Sequence, residues 1–345
     1  MREIMTLPIS KHYRPMEALP ASELPTGDDW QYEPKWDGFR CLAFRDGKTV
    51  SLQSKSDKPL TRYFPELVSA LQAVKASKFA LDGEIVIPIR NSLSFEHLLM
   101  RIHPASSRIL KLSTDTPATL IVFDLLVNDR GVSLVKLPLE KRRQQLQQFA
   151  AKYLKSNSSI RLSPVTTDLS VARKWFRMNV ALDGVIAKRR DLLYQTGERT
   201  GMQKIKRQRT ADCVVGGFRY LEKKPLVGSL LLGLYNDSGE LDHVGFTSSI
   251  QDEQRPSLTR KLRALIHEPG FTGKAPGGPS RWSTKRSTEW QPLSPKLVVE
   301  VQFDHFTGGR FRHGTKFLRW RPEKSPRDCT IHQVERESRS ALHLL

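Results

Sequence analysis

Glu33-Pro34-Lys35-Trp36-Asp37-Gly38-Phe39-Arg40 sets one primary amine beside a carboxylate, a glycine and a guanidinium. A lysine that is to attack a phosphate needs neighbours of this kind, because its free amine is a weak nucleophile until charges around it are arranged. The pattern Lys-x-Asp-Gly-x-Arg is short, and alone it also fits a surface lysine in a turn closed by Asp37-Gly38. The flanking sequence has to decide.

Before the stretch, residues 1–30 are rich in proline and polar residues and show no periodicity, so they read as an irregular arm that carries no chemistry. After it, Cys41-Leu42-Ala43-Phe44 and Thr49-Val50-Ser51-Leu52 flank Asp46-Gly47, the signature of a β-hairpin. Lys35 is therefore expected at the edge of a sheet. Phe64, Leu67, Leu71 and Val74 recur at helical spacing, and residues 79–87 then read as a buried strand containing Asp82-Gly83-Glu84. Two acids in an apolar strand call for a function, although Asp-Gly is also a common turn pair. Thr119-Leu120-Ile121-Val122-Phe123-Asp124-Leu125-Leu126 is apolar enough for the middle of a sheet, and Pro138 opens an amphipathic helix followed by another near residues 171–176.

Leu182-Asp183-Gly184-Val185-Ile186-Ala187-Lys188 is a further strand that starts with an acid and ends with a lysine. In Lys204-Ile205-Lys206-Arg207 the two lysines fall two apart, so in a strand both point to one face and Ile205 to the other. That is a cationic clamp if the face is a cleft and a solvated edge if it is not. Past residue 208 several short strand-like runs with one interposed helix fit a small barrel of the oligonucleotide-binding type. Residues 270–292, full of Gly, Pro and Ser, read as a mobile loop. Arg310-Phe311-Arg312-His313-Gly314-Thr315-Lys316-Phe317-Leu318-Arg319-Trp320-Arg321-Pro322-Glu323-Lys324 interleaves cations with aromatics, as phosphate contact and base stacking both require.

Composition narrows the partner. The chain has 345 residues, a formal net charge of +20 and a sequence pI near 10.0. Such self-repulsion is answered most directly by a polyanion, so nucleic acid is the expected partner and a merely solvated basic face the alternative. There is no apolar run long enough to span a bilayer and no signal-peptide core, which points to the cytoplasm. Cys41, Cys213 and Cys329 are widely spaced, suggesting neither a disulfide framework nor a zinc site.

Taken in order, these segments resemble the covalent nucleotidyltransferases, and most closely the ATP-dependent DNA ligases. Residues 35–40 are similar to the family's nucleophile motif. Ser54-Lys55 is similar to the motif that touches the 5′ side of a nick. Asp82-Gly83-Glu84, Phe123-Asp124, Asp183-Gly184-Val185-Ile186-Ala187-Lys188 and Lys204-Ile205-Lys206 match the next four, and Arg321-Pro322-Glu323-Lys324 resembles the last. Residues 101–108 and 276–284 further resemble the small stand-alone bacterial ligases of the C type, which lack an amino-terminal DNA-binding domain; no room for one is expected here. Three positions depart from the family: Lys55 stands where Arg is usual, Asp183 where Glu is usual, and Glu323 where Asp is common. Lys55 can meet phosphate only as a point charge, and Asp183 is one methylene short.

The resemblance implies an α+β fold, with a nucleotidyltransferase (adenylation) domain over residues 1–208 followed by an OB-fold barrel over 209–345. It implies that Lys35, beside Asp37, forms a lysine-AMP bond with release of pyrophosphate, passes AMP to the 5′-phosphate of a nick, and lets the 3′-hydroxyl expel it. Phe123 and Ile186 would sandwich the adenine, Glu33 would accept its amino group, Arg40 and Glu84 would lie near the ribose, and Arg199 would touch the nucleotide. Lys204 and Lys206 would contact the phosphates, Arg321 and Lys324 the leaving pyrophosphate, and Lys55 with Arg40 the nick 5′-phosphate. Asp183 and Glu84 would hold Mg²⁺ or Mn²⁺. No Walker-type phosphate loop is present. The ammonium of Lys35, ordinarily near pKa of about 10.4, is expected to be lowered by Lys204, Lys206 and the cation. Partners implied are nicked duplex DNA and a separate repair polymerase, with the protein a monomer acting in repair. An RNA ligase, a GTP-using capping enzyme, or a non-catalytic nucleic-acid-binding relative are the alternatives.

Overall fold

The computed structural model describes residues 6–90, 92–155, 157–177, 182–277, 289–334 and 344. The chain divides into two compact units, Met1–Arg207 with Ser338–Leu345, and Gln208–Glu337. The expected second domain ran to residue 345; instead Leu344 packs against a cluster of the first unit that includes Tyr32 and Trp36. An apolar side chain at the terminus finds a partner regardless of sequence distance.

The first unit contains β1 (Leu19–Ala21), β2 (Trp30–Lys35), β3 (Phe39–Asp46), β4 (Thr49–Ser54), α1 (Pro65–Ala73), β5 (Lys78–Val86), the short hairpin β6 (Pro88–Ile89) and β7 (Ser92–Leu93), α2 (Phe95–Met100), α3 (Ser106–Asp115), β8 (Thr119–Val127), α4 (Leu139–Tyr153), β9 (Ile160–Leu162), α5 (Leu169–Arg177), β10 (Gly184–Arg189) and β11 (Met202–Lys206). Two sheets carry it, one in the order β4-β3-β5-β8-β9 and one in the order β1-β11-β10-β2. Every residue of β8 is buried, as suits an aliphatic strand flanked on both sides. Leu67 and Leu71 of α1 and Leu146 and Phe149 of α4 close one core over that sheet; each such side chain contributes about 1.5–3 kcal/mol on burial.

The Asp82-Gly83-Glu84 stretch is continuous strand and not a turn, paired to β3 on one side and β8 on the other. The arm corrects its expectation. Leu19–Ala21 adds a parallel strand to β11, and the residues just before it reach the site described below.

The second unit contains β12 (Arg209–Leu221), β13 (Lys224–Tyr235), β14 (Leu241–Thr247), α6 (Arg255–Arg263), β15 (Gln291–Pro292), β16 (Val298–Phe303), β17 (Phe306–Thr307), β18 (Arg310–Phe311) and β19 (Lys316–Trp320). Its main sheet runs β14-β13-β12-β16-β19, with β15 on β12. Register shifts along β12 and β13 bend the sheet. Among the described residues its ladders do not close into a full barrel, and the two edges meet at one parallel bridge, Thr247 with Thr315. The stretch expected as a mobile loop is partly anchored, since Phe271 is buried and Trp290 packs on the same core; residues 278–288, including Arg281 to Thr284 of the C-type resemblance, lie outside the described residues. No described helix is long and apolar enough to cross a membrane.

Candidate active site

Register builds one wall of the site. Across β2, β10 and β11 three rows of side chains share a face: Lys35-Gly184-Lys206, Glu33-Ile186-Lys204 and Gln31-Lys188-Met202. The alternate residues Tyr32, Val185, Ala187 and Ile205 turn to the opposite side and form a buried apolar cluster, so a slip of one residue would bury the charges and expose the core. Gly184, with φ of 145°, lies in the first row, where a Cβ would come within 2.0 Å of the Ile205 carbonyl oxygen. Gly38 serves the turn out of β2 in the same way, its missing Cβ leaving room for the Ile85 carbonyl. These two positions explain the glycines of both motifs.

The other wall comes from β3, β5 and β8. Asp82 pairs with Asp124 and Gly83 with Val122, leaving Phe123 as the extra residue of a bulge. A bulge re-aims its side chain, and Phe123, which the sequence pattern alone would place in the core, lines a cleft together with Glu33, Lys35, Arg40, Lys55, Glu84, Ile186 and Lys204. The arm contributes Pro15, Met16, Glu17 and Ala18 to the same cleft.

Charge in the cleft is unevenly compensated. Lys35 forms an ion pair with Asp183, and Lys206 stands 3.8 Å from the same carboxylate. Burial pushes the Lys35 ammonium down, but Asp183, aided by Glu84 and Asp37, outweighs it and holds it above the ordinary lysine value. Of the three charges expected to lower Lys35, the two lysines Lys204 and Lys206 do not suffice by themselves, because the acids nearest to it win over them. Lys204 moves down instead, through burial and then Lys206, Lys35, Lys55 and Arg199, and it has no ion-pair partner among the described residues.

Glu84 likewise has no hydrogen bond or ion pair among the described residues, because Arg40, its neighbour across the strands, pairs diagonally with Asp82. Burial raises the Glu84 carboxyl to about 7, against the opposing pull of Arg40 and Lys35. Among the described residues no group of three or more His, Cys, Asp or Glu could hold a metal. Magnesium ordinarily takes one or two carboxylates with phosphate and water oxygens, which the partnerless Glu84 and the nearby Asp183 fit.

Other expected residues are placed less directly. Asp37, Asp183, Lys206 and Arg199 do not line the cleft. Exposed Arg199 and Lys55 both pair with Glu17 of the arm, at 3.2 and 3.0 Å. Glu33 is buried, and its carboxylate accepts from Lys188 at 2.7 Å and from Gln31 at 2.9 Å. Arg321 and Lys324 belong to the second unit, where Arg321 pairs with Asp212 at 2.8 Å and also meets Glu323.

Three contributors were missed in the sequence. Lys188 could have been found by counting two on from Ile186 along the strand. Asp82, wholly buried and accepting from Arg40 at 2.6 and 2.7 Å and from the Tyr194 hydroxyl at 2.6 Å, was quoted without a role. Glu17 gave no local signal at all.

Residues 15–206 match the family described as ATP dependent DNA ligase domain, and residues 223–324 match the ATP dependent DNA ligase C terminal region. The chain belongs to the ATP-dependent DNA ligases. The match to the first region opens at residue 15, in the arm that reaches the ligase cleft. DNA ligase C2 of Mycolicibacterium smegmatis is 42% identical over 348 residues, and DNA ligase C of Mycobacterium tuberculosis 40% over 347, each alignment covering 96% of both chains. These relatives favour a DNA ligase over the RNA-ligase and capping alternatives. A solved structure from work on Lig E DNA ligases, titled as DNA binding with a minimal scaffold, shares the fold with a TM-score of 0.52 at 15% identity, covering 89% of this ligase and 100% of that chain.

Proposed function

We propose that this ligase charges Lys35 with AMP from ATP and spends the adenylate on sealing nicks in duplex DNA. The observation that carries the reading is one cleft in which Lys35 shares walls with a cation and a carboxyl that have no ion-pair partner among the described residues, Lys204 and Glu84. Polyphosphate would answer the first, and ribose or a metal the second.

In the first step the Lys35 Nζ loses a proton and bonds to the α-phosphorus of ATP, while the bond from that phosphorus to the bridging oxygen breaks and pyrophosphate departs. Protonated lysine is not a nucleophile, so its ion pair with Asp183 has to open beforehand. Lys204 and Lys206 would stabilise charge on the α-phosphate, and Arg321 with Lys324 would orient the pyrophosphate. Phe123 and Ile186 would hold the adenine between them, with Glu33 accepting its amino group, Arg40 and Glu84 near the ribose and Arg199 at the rim. Bound Mg²⁺ or Mn²⁺ supplies charge neutralisation on the triphosphate, and Asp183 and Glu84 would hold it.

In the second step a 5′-phosphate oxygen, guided by Lys55, displaces Lys35 from the AMP phosphorus. The 3′-hydroxyl oxygen then bonds to the 5′-phosphorus and AMP leaves. A repair setting is supported by relatives 29% identical that are named as non-homologous end joining DNA repair proteins, and a separate polymerase partner and a monomeric state belong to the same reading. Label transfer from α-labelled ATP to protein tests the central assignment: Lys35→Ala should abolish it together with nick sealing, and retained label would overturn the role of Lys35.

A further inference from the structure

Lys188 is buried, with a side chain 5% exposed beside a Glu33 side chain 2% exposed. Its Nζ donates to Glu33 at 2.7 Å and stands 4.4 Å above the centre of the Phe123 ring. Opposite it across β2 is Gln31, whose amide donates to the other Glu33 oxygen at 2.9 Å. A second cation feels the same carboxylate. Arg143 of α4 is buried, its Nε and Nη1 have no hydrogen-bond partner among the described residues, and the field of Glu33 partly offsets the burial that lowers its guanidinium.

This arrangement exceeds what a strand pair needs. Placing an ion pair out of water costs several kcal/mol per charge, and apolar residues of the same volume are often at least as stabilising. What the pair does provide is a carboxylate fixed in position at a cleft whose wall includes an aromatic ring. An ionised carboxylate only accepts hydrogen bonds. It welcomes an exocyclic amino group and repels an exocyclic carbonyl oxygen.

We propose that Lys188 is a positioning residue for base recognition: by holding Glu33 as a fixed acceptor, it makes the cleft select a 6-aminopurine nucleotide over purines that lack the amino group. The inference rests on the reading above that Glu33 meets the adenine. Lys188 acts through Glu33, so removing it frees the carboxylate to turn, and the amino group loses its value.

The test compares self-adenylylation with ATP against purine riboside triphosphate, which lacks only the amino group, in wild type, K188M, K188R, E33Q and the E33Q/K188M double variant, each checked by thermal melting. Wild type should prefer ATP by about tenfold or more, one fixed hydrogen bond to a charged acceptor being worth at least that. K188M should bring the ratio close to one, mainly through a raised KM for ATP, and K188R should restore most of it. The double variant should discriminate no worse than E33Q alone, the non-additivity of two groups acting as a unit. A folded K188M that keeps the wild-type ratio overturns the proposal. Should K188M fail to melt cooperatively, the double variant decides, since it removes the carboxylate together with the ammonium paired to it: a ratio equal to that of E33Q supports the proposal and a further loss overturns it. An E33Q enzyme with the wild-type ratio removes the reading of Glu33 itself, an outcome distinct from failure at Lys188 alone.

Discussion

Arg40 and Asp82 meet diagonally across two strands in a two-point ion pair, while Glu84, which lies directly opposite Arg40, is left without a partner among the described residues. One carboxylate of the Asp-Gly-Glu stretch is thereby committed to holding the guanidinium, and the other is kept for the cleft. Asp82→Ala would strand Arg40 and the Tyr194 hydroxyl, and breaking a buried pair by removing one partner costs about 3–5 kcal/mol. Urea unfolding should show that loss, and Asp82→Asn a smaller one. An unchanged midpoint in Asp82→Ala would remove the structural role given to this pair.

Gly184→Ala places a methyl group into the Ile205 carbonyl at a φ that side chains rarely adopt. Strain of this kind costs about 1–3 kcal/mol, and here it falls between Lys35 and Lys206 in one row. The expected outcome is a lower melting temperature together with a loss of label transfer from ATP well beyond what partial unfolding explains. Normal label transfer would mean that the row does not set the lysine positions.

His243 gives the second unit a pH dependence. Burial, then Arg310 and Arg219, push its imidazole down to about 3, and Arg310 donates to its Nδ1 at 2.8 Å while Phe271 packs against the ring. In the unfolded chain the same group titrates near about 6.5. Its stabilising contribution is complete above that pH and falls as acid protonates the unfolded state first, by about 2–3 kcal/mol at pH 4.5. The difference in unfolding free energy between wild type and His243→Gln should shrink by that amount between pH 7.5 and pH 4.5. A difference independent of pH would contradict the buried neutral imidazole.

Lys324, half-buried and without an ion-pair partner among the described residues, is a cleaner probe of the last motif than Arg321, whose partners Asp212, Glu300 and Glu323 give it a structural task inside the second unit. Lys324→Ala should slow self-adenylylation at least about tenfold with little change in sealing of a pre-adenylylated nick, the mark of a group used in one step only. Equal losses in both assays would count against a role at the pyrophosphate.

What could be read from the chain was local or periodic. The hairpin of β3 and β4 follows from Asp46-Gly47, and the shared face of Lys204 and Lys206 from strand alternation. The bulge that turns Phe123 into the cleft left no such trace, because it depends on register against β5 and not on the residues of β8. Glu17 and the pairing of Lys188 with Glu33 were silent for a related reason. Their partners lie far along the chain, Lys188 from Glu33 by 155 positions and Arg199 from Glu17 by 182. The raised Lys35 needed the distance to Asp183, which spacing in sequence does not contain.

The sheet that carries Lys35 is stitched from both ends of its unit, Leu19–Ala21 against β11 and β2 against β10. Pairings of such long sequence separation are the slowest to form. A growing polypeptide on the ribosome therefore has nowhere to dock a nucleotide until residue 206 has emerged, and retention on immobilised ATP would sort finished chains from prematurely terminated ones.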